Sequence, residues 1–197
     1  MTFKIPRGHP YFHVQSLATA NADIKKFFFS WYLYRPQSLL DERIAISISR
    51  DELLSESFVF EMLSNGPAAH ELAFHSAVLL TSGETRHIPM IDMSTTARAH
   101  LAKLADFIGT EVFNNFNWFE SGRSFHGYGS ELLDQDHWRC FMGQLLVANQ
   151  KDMKPTVDPR WVGHRLIAGY AALRWTKRTD FYLAIPELLR ERGLTFT

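Results

Sequence analysis

Three groups of residues in this chain are of the kind that do chemistry. The first is Asp92, which closes the apolar run PMIDMS. A carboxylate delivered at the end of a strand is a common way to present a ligand to a hard divalent cation. The second is the stretch ESGRSFHGYG, residues 120–129, where three glycines and two serines surround Arg123, Phe125, His126 and Tyr128. A surface loop has no need of the aromatics, and a core strand has no use for Arg and His. In an extended segment Ser124, His126 and Tyr128 share one face, and Phe125 anchors the other. His126 then projects into a cleft, and the turn at Ser121-Gly122, with Arg123 beside it, suits an anion. The third is the stretch from Pro155 to Arg178, where Arg160, Arg165, Arg174, Lys177 and Arg178 face Asp158 alone. Trp161, Tyr170 and Trp175 are interleaved with them, a composition that suits phosphate and base contacts. Each group also has a plainer use. Asp92 is a cap for the next helix, the glycine-rich stretch a hairpin with a hydrogen-bonded histidine, and the basic stretch a solvated face or a protein interface anchored by its aromatics.

The elements that hold these residues are legible in outline. Residues 20–36 read as a helix opening at Asn21 and stopping before Pro36. Residues 42–50 alternate Ile44, Ile46 and Ile48 with small residues and predict a strand. Residues 51–66 predict one helix ending at Asn65-Gly66. Residues 71–80 and 85–94 flank Ser82-Gly83-Glu84 as a hairpin. A helix is expected over 95–109, a strand over 111–120 running into the glycine-rich stretch, and a helix over 131–149 capped by Ser130. The segment IPELLRERG, residues 185–193, predicts a closing helix. Interleaved strands and helices with a hairpin predict an α+β fold, with mixed or antiparallel sheets covered by helices.

Composition bounds the reading. The 197 residues suit a single domain spanning 1–197, and 16 Phe, 6 Tyr and 5 Trp promise a large aromatic core. Net charge is zero, so an anion site must be local rather than a global basic field. The single cysteine, Cys140, lies in the amphipathic run WRCFMGQLL and reads as a core residue rather than a nucleophile. No internal disulfide is possible, there is no apolar run of 18 residues, and MTFKIPRGHPYF lacks a signal-peptide core. A cytoplasmic protein with no membrane segment is expected. No GxxxxGK[ST] pattern exists, which excludes a P-loop nucleotide site.

Taken together, the three groups resemble the archaeo-eukaryotic primase family, which includes the primase-polymerases. The resemblance rests on Ile91-Asp92-Met93-Ser94, on Ser121, Gly122, Arg123, Phe125 and His126, and on Val157-Asp158 followed by Arg165-Leu166-Ile167 and by Gly169 to Arg174. It spans roughly residues 71–180, leaving residues 1–70 as an N-terminal α/β portion without motifs. The resemblance implies an RRM-like catalytic core and a primase or polymerase-type nucleotidyl transfer. It implies Asp92 and Asp158 as ligands of Mg²⁺ or Mn²⁺. His126, Ser121, Arg123, Arg165 and Arg174 would hold the phosphates of a nucleoside triphosphate. Arg165 would lie on the family's arginine-bearing strand. Single-stranded DNA or RNA and a partner subunit are the implied partners, because a chain of this length lacks the helical accessory domain that often positions template.

The chain departs from the family at Ser94, which stands where the family has its second acid. A hydroxyl is a weaker ligand than a carboxylate for Mg²⁺. Glu84 or Glu131 could supply a replacement, though the sequence places neither beside Asp92. The departure keeps a second expectation open: a catalytically degenerate primase-like subunit that binds nucleotide or nucleic acid within a larger assembly, for example an anti-phage complex. With one cysteine and no CxxC pair, no structural zinc is expected.

Overall fold

The run IKKFFFSWY is a strand at the centre of a sheet, not the helix that residues 20–36 suggest. The computed structural model describes residues 4–189. In it, helix α1 (Tyr11–Ala20) leads to β1 (Ile24–Tyr32), which pairs on one side with β2 (Arg43–Ser49) and on the other with β3 (Glu71–Leu80). Phe27, Phe29 and Trp31 alternate into the core, while Ser30 and Tyr32 on the opposite face are covered as well. Burial on both faces erases the alternation that marks a strand, and aromatic residues favour the pleated surface that receives them.

Two short helices, α2 (Arg50–Leu54) and α3 (Glu56–Ser64), replace the single helix expected over 51–66. Ser49 and Glu52 form a reciprocal capping box on α2, and Ser55 interrupts the run by capping α3 itself, accepting from the Phe58 amide at 3.4 Å. The hairpin turns at Gly83 as expected, but only β4 (Thr85–His87) completes it. Pro89 has no amide to continue the ladder. Its carbonyl accepts from Gly129 at 2.8 Å, and the chain passes as β5 (Met90–Asp92) into a second sheet.

Helix α4 (Arg98–Ile108) follows, then a short α5 (Thr110–Asn114) that takes the first half of the strand expected over 111–120. The second sheet has the order β5, β7 (Phe125–Gly129), β6 (Phe116–Glu120) and β9 (Glu187–Leu188). Residues 187–188 are therefore strand rather than helix, and residues 190–193 of that expectation lie outside the described residues. Helix α6 (Gln135–Val147) is capped by Asp134 rather than by Ser130. The Asp134 carboxylate accepts from the amides of Asp136 and His137, while Leu133 is tied to His87 by a β-bridge and cannot join the helix. Helix α7 (Pro159–Ala168) and strand β8 (Ala172–Arg174) complete the order, with β8 added to β3 in the first sheet. Each strand pair described is antiparallel, and helices flank both sheets, so the α+β class holds.

The sheets meet at Trp175, just after β8. Its ring stacks on Phe74 at 4.9 Å and meets Phe29 edge-on at 5.1 Å, both in the first sheet. Its indole N–H donates to the Tyr128 hydroxyl of the second sheet at 3.2 Å, and its carbonyl faces His9 Nε2 at 2.8 Å. Such ring contacts add about 0.5–1.5 kcal/mol each beyond the area they bury. No helix among the described residues is long and apolar enough to cross a membrane.

Candidate functional site

Asp92 and Asp158 come together because the chain beyond β5 pairs with the segment before α7. Met93 and Val157 form an antiparallel bridge, the Asp158 amide donates to the Asp92 carbonyl at 2.9 Å, and the Ser94 amide donates to the Thr156 carbonyl at 3.0 Å. The Asn149 side chain clamps this segment. Its Oδ1 accepts from the amides of Thr156 and Val157, and its Nδ2 donates to the Val157 carbonyl. Sequence reasoning missed Asn149, which opens the polar run NQKD past the end of α6 and has no motif around it.

The two carboxylates differ in what they do. Asp158 Oδ1 caps α7, accepting from the amides of Arg160 at 2.8 Å and Trp161 at 3.1 Å. Asp92, 22% exposed at its side chain, accepts from the Ser124 hydroxyl at 3.2 Å. Burial and then the charge of Asp158 push the Asp92 carboxyl up to about 7, against the opposing pull of Ser124 and Arg174. A carboxyl held up in part by a neighbouring carboxylate is a place where a divalent cation can relieve the repulsion.

His126 lies directly across the ladder from Asp92, its Nε2 3.7 Å from Asp92 Oδ1. The distance invites the label of an ion pair, but burial and then Arg174 hold the imidazole down at about 3. The ring is neutral at pH 7, so the contact is dipolar. Its Nδ1 is buried without a hydrogen-bond partner. Phe125 is buried on the opposite face of β7, as the alternation predicts.

The SGRS turn is closed by its own serines. The Ser121 amide and hydroxyl both meet the Ser124 carbonyl at 2.9 Å, so the Ser121 hydroxyl is committed to the turn. Gly122 has φ +103, and a Cβ there would stand 3.0 Å from Leu183 Cβ, so only glycine suits the position. Arg123 is exposed, with its guanidinium 5.5 Å from the Phe181 ring centroid. Arg174 reaches across from β8: it donates to the Ser121 carbonyl at 2.9 Å and to the Thr176 carbonyl, and lies over Tyr182 at 4.1 Å.

Arg165 is not on a strand. It sits in α7, where Asp158 at the cap and Pro159 in the first turn are ordinary helix-start signals. The strand that follows α7 is β8, and it ends on Arg174. Arg165 is paired instead with Asp41, from the segment between β1 and β2. Nor is 155–178 one basic face. Arg160 bonds the Ser38 carbonyl, Arg178 bonds the Ser64 and Gly66 carbonyls, and Trp175 is core. Cys140 is exposed rather than buried.

One cleft of about 550 Å³ gathers the predicted residues: Asp92, Ser94, Ser121, Arg123, His126, Asp158, Arg165 and Arg174 all line it. Glu84 and Glu131 do not; Glu84 pairs with Arg86 at the hairpin turn. Among the described residues no group of three His, Cys, Asp or Glu converges as a metal cage. The cleft is lined by two carboxylates, Asp92 and Asp158, and by Ser94, a donor set that could take one hard cation completed by water and phosphate oxygens. His9 and His13 stand four residues apart in α1 and just before it, but both ring nitrogens of His9 are engaged, by the Trp175 carbonyl and the Tyr11 amide.

Compared with known families, residues 50–187 match a family model described as archaeo-eukaryotic primase 1D-like. The match covers seven-tenths of the chain, takes in both carboxylates, the SGRS turn and β8, and begins upstream of the motif-bearing region, at α2. No curated protein and no solved structure gives a match.

Proposed function

The chain belongs to the archaeo-eukaryotic primase family of the 1D-like type, and from that premise we propose that its cleft binds a nucleoside triphosphate with one divalent cation and that a 3′ hydroxyl, on a strand paired with a DNA or RNA template, attacks the α-phosphate and releases pyrophosphate. The observation that carries this reading is that Asp92 and Asp158 are held on one backbone bridge and line one cleft with Arg123, His126 and Arg174; burial and then the charge of Asp158 raise the Asp92 carboxyl to about 7. Asp92 and Asp158 would hold Mg²⁺ or Mn²⁺, which when bound supplies charge neutralisation to the triphosphate.

The chain's own residues do the rest. Arg174 and Arg123 bring positive charge to the side of the cleft that the SGRS turn borders, and a guanidinium suits phosphate geometry. His126, held neutral, offers a hydrogen bond rather than a charge. Ser124 orients Asp92, and Ser121 fixes the turn that carries Arg123. A partner subunit would supply the remaining template contacts.

A second reading is favoured by Ser94: a primase-like domain that binds nucleotide or nucleic acid without joining anything. The test is primer synthesis on single-stranded DNA with Mn²⁺ and labelled NTP and dNTP mixtures. Wild-type product that vanishes in Asp92→Ala/Asp158→Ala supports transfer. No wild-type product, with activity gained in Ser94→Asp, supports the binding domain. Product that survives loss of both acids overturns the assignment.

A further inference from the structure

We propose that Arg165 and Arg43 form an anion site at one side of the cleft, and that Asp41 occupies it as a built-in competitor that a ligand's phosphate displaces. The proposal rests on the cleft being a nucleotide site, and it names how that site is regulated. Arg165 is 2% exposed, and two of its three guanidinium nitrogens, Nε and Nη1, are buried without a hydrogen-bond partner. The third, Nη2, meets Asp41 Oδ2. Arg43 Nε donates to the same oxygen at 2.8 Å, and its Nη1 donates to Ser30 Oγ at 2.9 Å. Two guanidinium groups thus share one carboxylate, and among the described residues no second carboxylate pairs with either of them.

Apart from Asp41, the groups packed directly against the two guanidinium groups are aromatic or neutral, while Arg35, Arg160 and Arg174 line the same cleft. His75 is stacked on Tyr170 at 4.2 Å and faces Ser30 Oγ at 2.8 Å; burial, then Arg43, keeps its ring neutral. Tyr170 presents its face to Arg165 at 5.8 Å. A buried arginine with donors to spare is what a bidentate phosphate contact requires, and a single carboxylate satisfies it only in part.

Asp41 is also mounted on a segment that can leave. Residues 33–42 join β1 to β2, with Leu39 85% and Leu40 69% exposed. Gln37 takes a left-handed conformation, φ +58. The segment is tied to α7 by Arg160 donating to the Ser38 carbonyl at 3.1 Å and by the Asp41–Arg165 pair. Tyr34 packs on Phe181 at 4.2 Å near the β1 end, but the stretch carrying Ser38 and Asp41 is held by polar tethers and buries no apolar side chain, so a polyanion with more acceptors than Asp41 can replace them. The whole segment lies outside the family match.

Hydrogen exchange of residues 33–42 in the wild-type protein, with and without pyrophosphate, tests the displacement directly. Faster exchange with pyrophosphate is expected; unchanged or slower exchange overturns the proposal. In parallel, Asp41→Asn should bind pyrophosphate and a labelled triphosphate about three- to tenfold more tightly, because a competitor has been removed. The gain should vanish in Asp41→Asn/Arg165→Met. Triphosphate binding that depends on Asp92 and Arg174 but shows no gain in Asp41→Asn overturns the competitor while the proposed function stands. If the wild type binds no triphosphate yet pyrophosphate still frees the segment, the anion site stands and the nucleotide reading falls. Should Asp41→Asn fail to fold, the wild-type exchange experiment decides alone.

Discussion

The backbone of Asp158 donates to the backbone of Asp92 at 2.9 Å, so the two carboxylates leave adjacent positions of one antiparallel bridge. Their separation is set by main-chain hydrogen bonds and by the Asn149 clamp rather than by side-chain rotamers. Cation binding should therefore be linked to a proton. Asp92 is protonated below about 7 and the cation takes the ionised form. Mn²⁺ affinity should rise about tenfold per pH unit up to that point and then level. Asp158→Asn removes the charge that raises Asp92, so the levelling should move to lower pH while affinity at high pH falls. Mn²⁺ titration followed by electron paramagnetic resonance across the range reads both; an affinity flat with pH would contradict the pairing.

Ser94→Asp places a third carboxylate on the same bridge, opposite Thr156. Mg²⁺ affinity should increase by about tenfold or more, since each added carboxylate is a strong ligand for a hard cation. In the absence of cation the variant should melt lower than wild type, because a third charge joins an already repelling pair. Melting curves with and without Mg²⁺ show whether the two effects have opposite signs.

Acid should destabilise the fold through its buried histidines. His9 is held at about 4 and His75 and His126 at about 3, each chiefly by burial. Their depressed values mean that the unfolded chain takes up protons first. The stability they confer is complete above about 6.5 and is lost as pH falls toward the folded values, at up to about 1.4 kcal/mol per unit for each. Asp92 works the other way, its raised value favouring the fold as pH drops below 7. Three groups outweigh one, so the denaturation midpoint should fall between about pH 6.5 and 4.5. His75→Gln should flatten the slope.

Gly127→Ala tests how tightly the site strand is packed. A Cβ there would stand 2.8 Å from Trp118 Cζ3 and 3.1 Å from Phe116 Cδ1, the bodies of two core rings. The cost should be about 1–3 kcal/mol, a fall in Tm of roughly 3–10 °C for a chain of this size. Because Gly127 pairs with Ile91, next to Asp92, Mn²⁺ affinity should fall with it.

The site was more legible than the fold around it. Asp92, His126, Asp158 and Arg174 are spread over eighty residues, yet their types and order survive as a pattern because chemistry constrains side chains directly. Strands with one exposed face were legible too, as the Ile44–Ile48 alternation shows. What failed were segments with competing local signals. Residues 29–32 are buried on both faces, which hides the period of the strand they end. Residues 159–168 carry a helix cap, but the motif there suggested a strand. Asp41 had no signal at all, since its partner is 124 residues away and only tertiary contact joins them.

Arg174 belongs to the first sheet and Asp92 to the second, with the Trp175–Tyr128 bond riveting the two together just beside them. The cleft is therefore a joint with Arg174 on one plate and Asp92 on the other. A ligand that engages both would act as a strut across that joint. Its binding should stiffen the relative motion of the sheets as well as protect the residues it touches, so mechanical resistance to shearing them apart becomes a measure of occupancy.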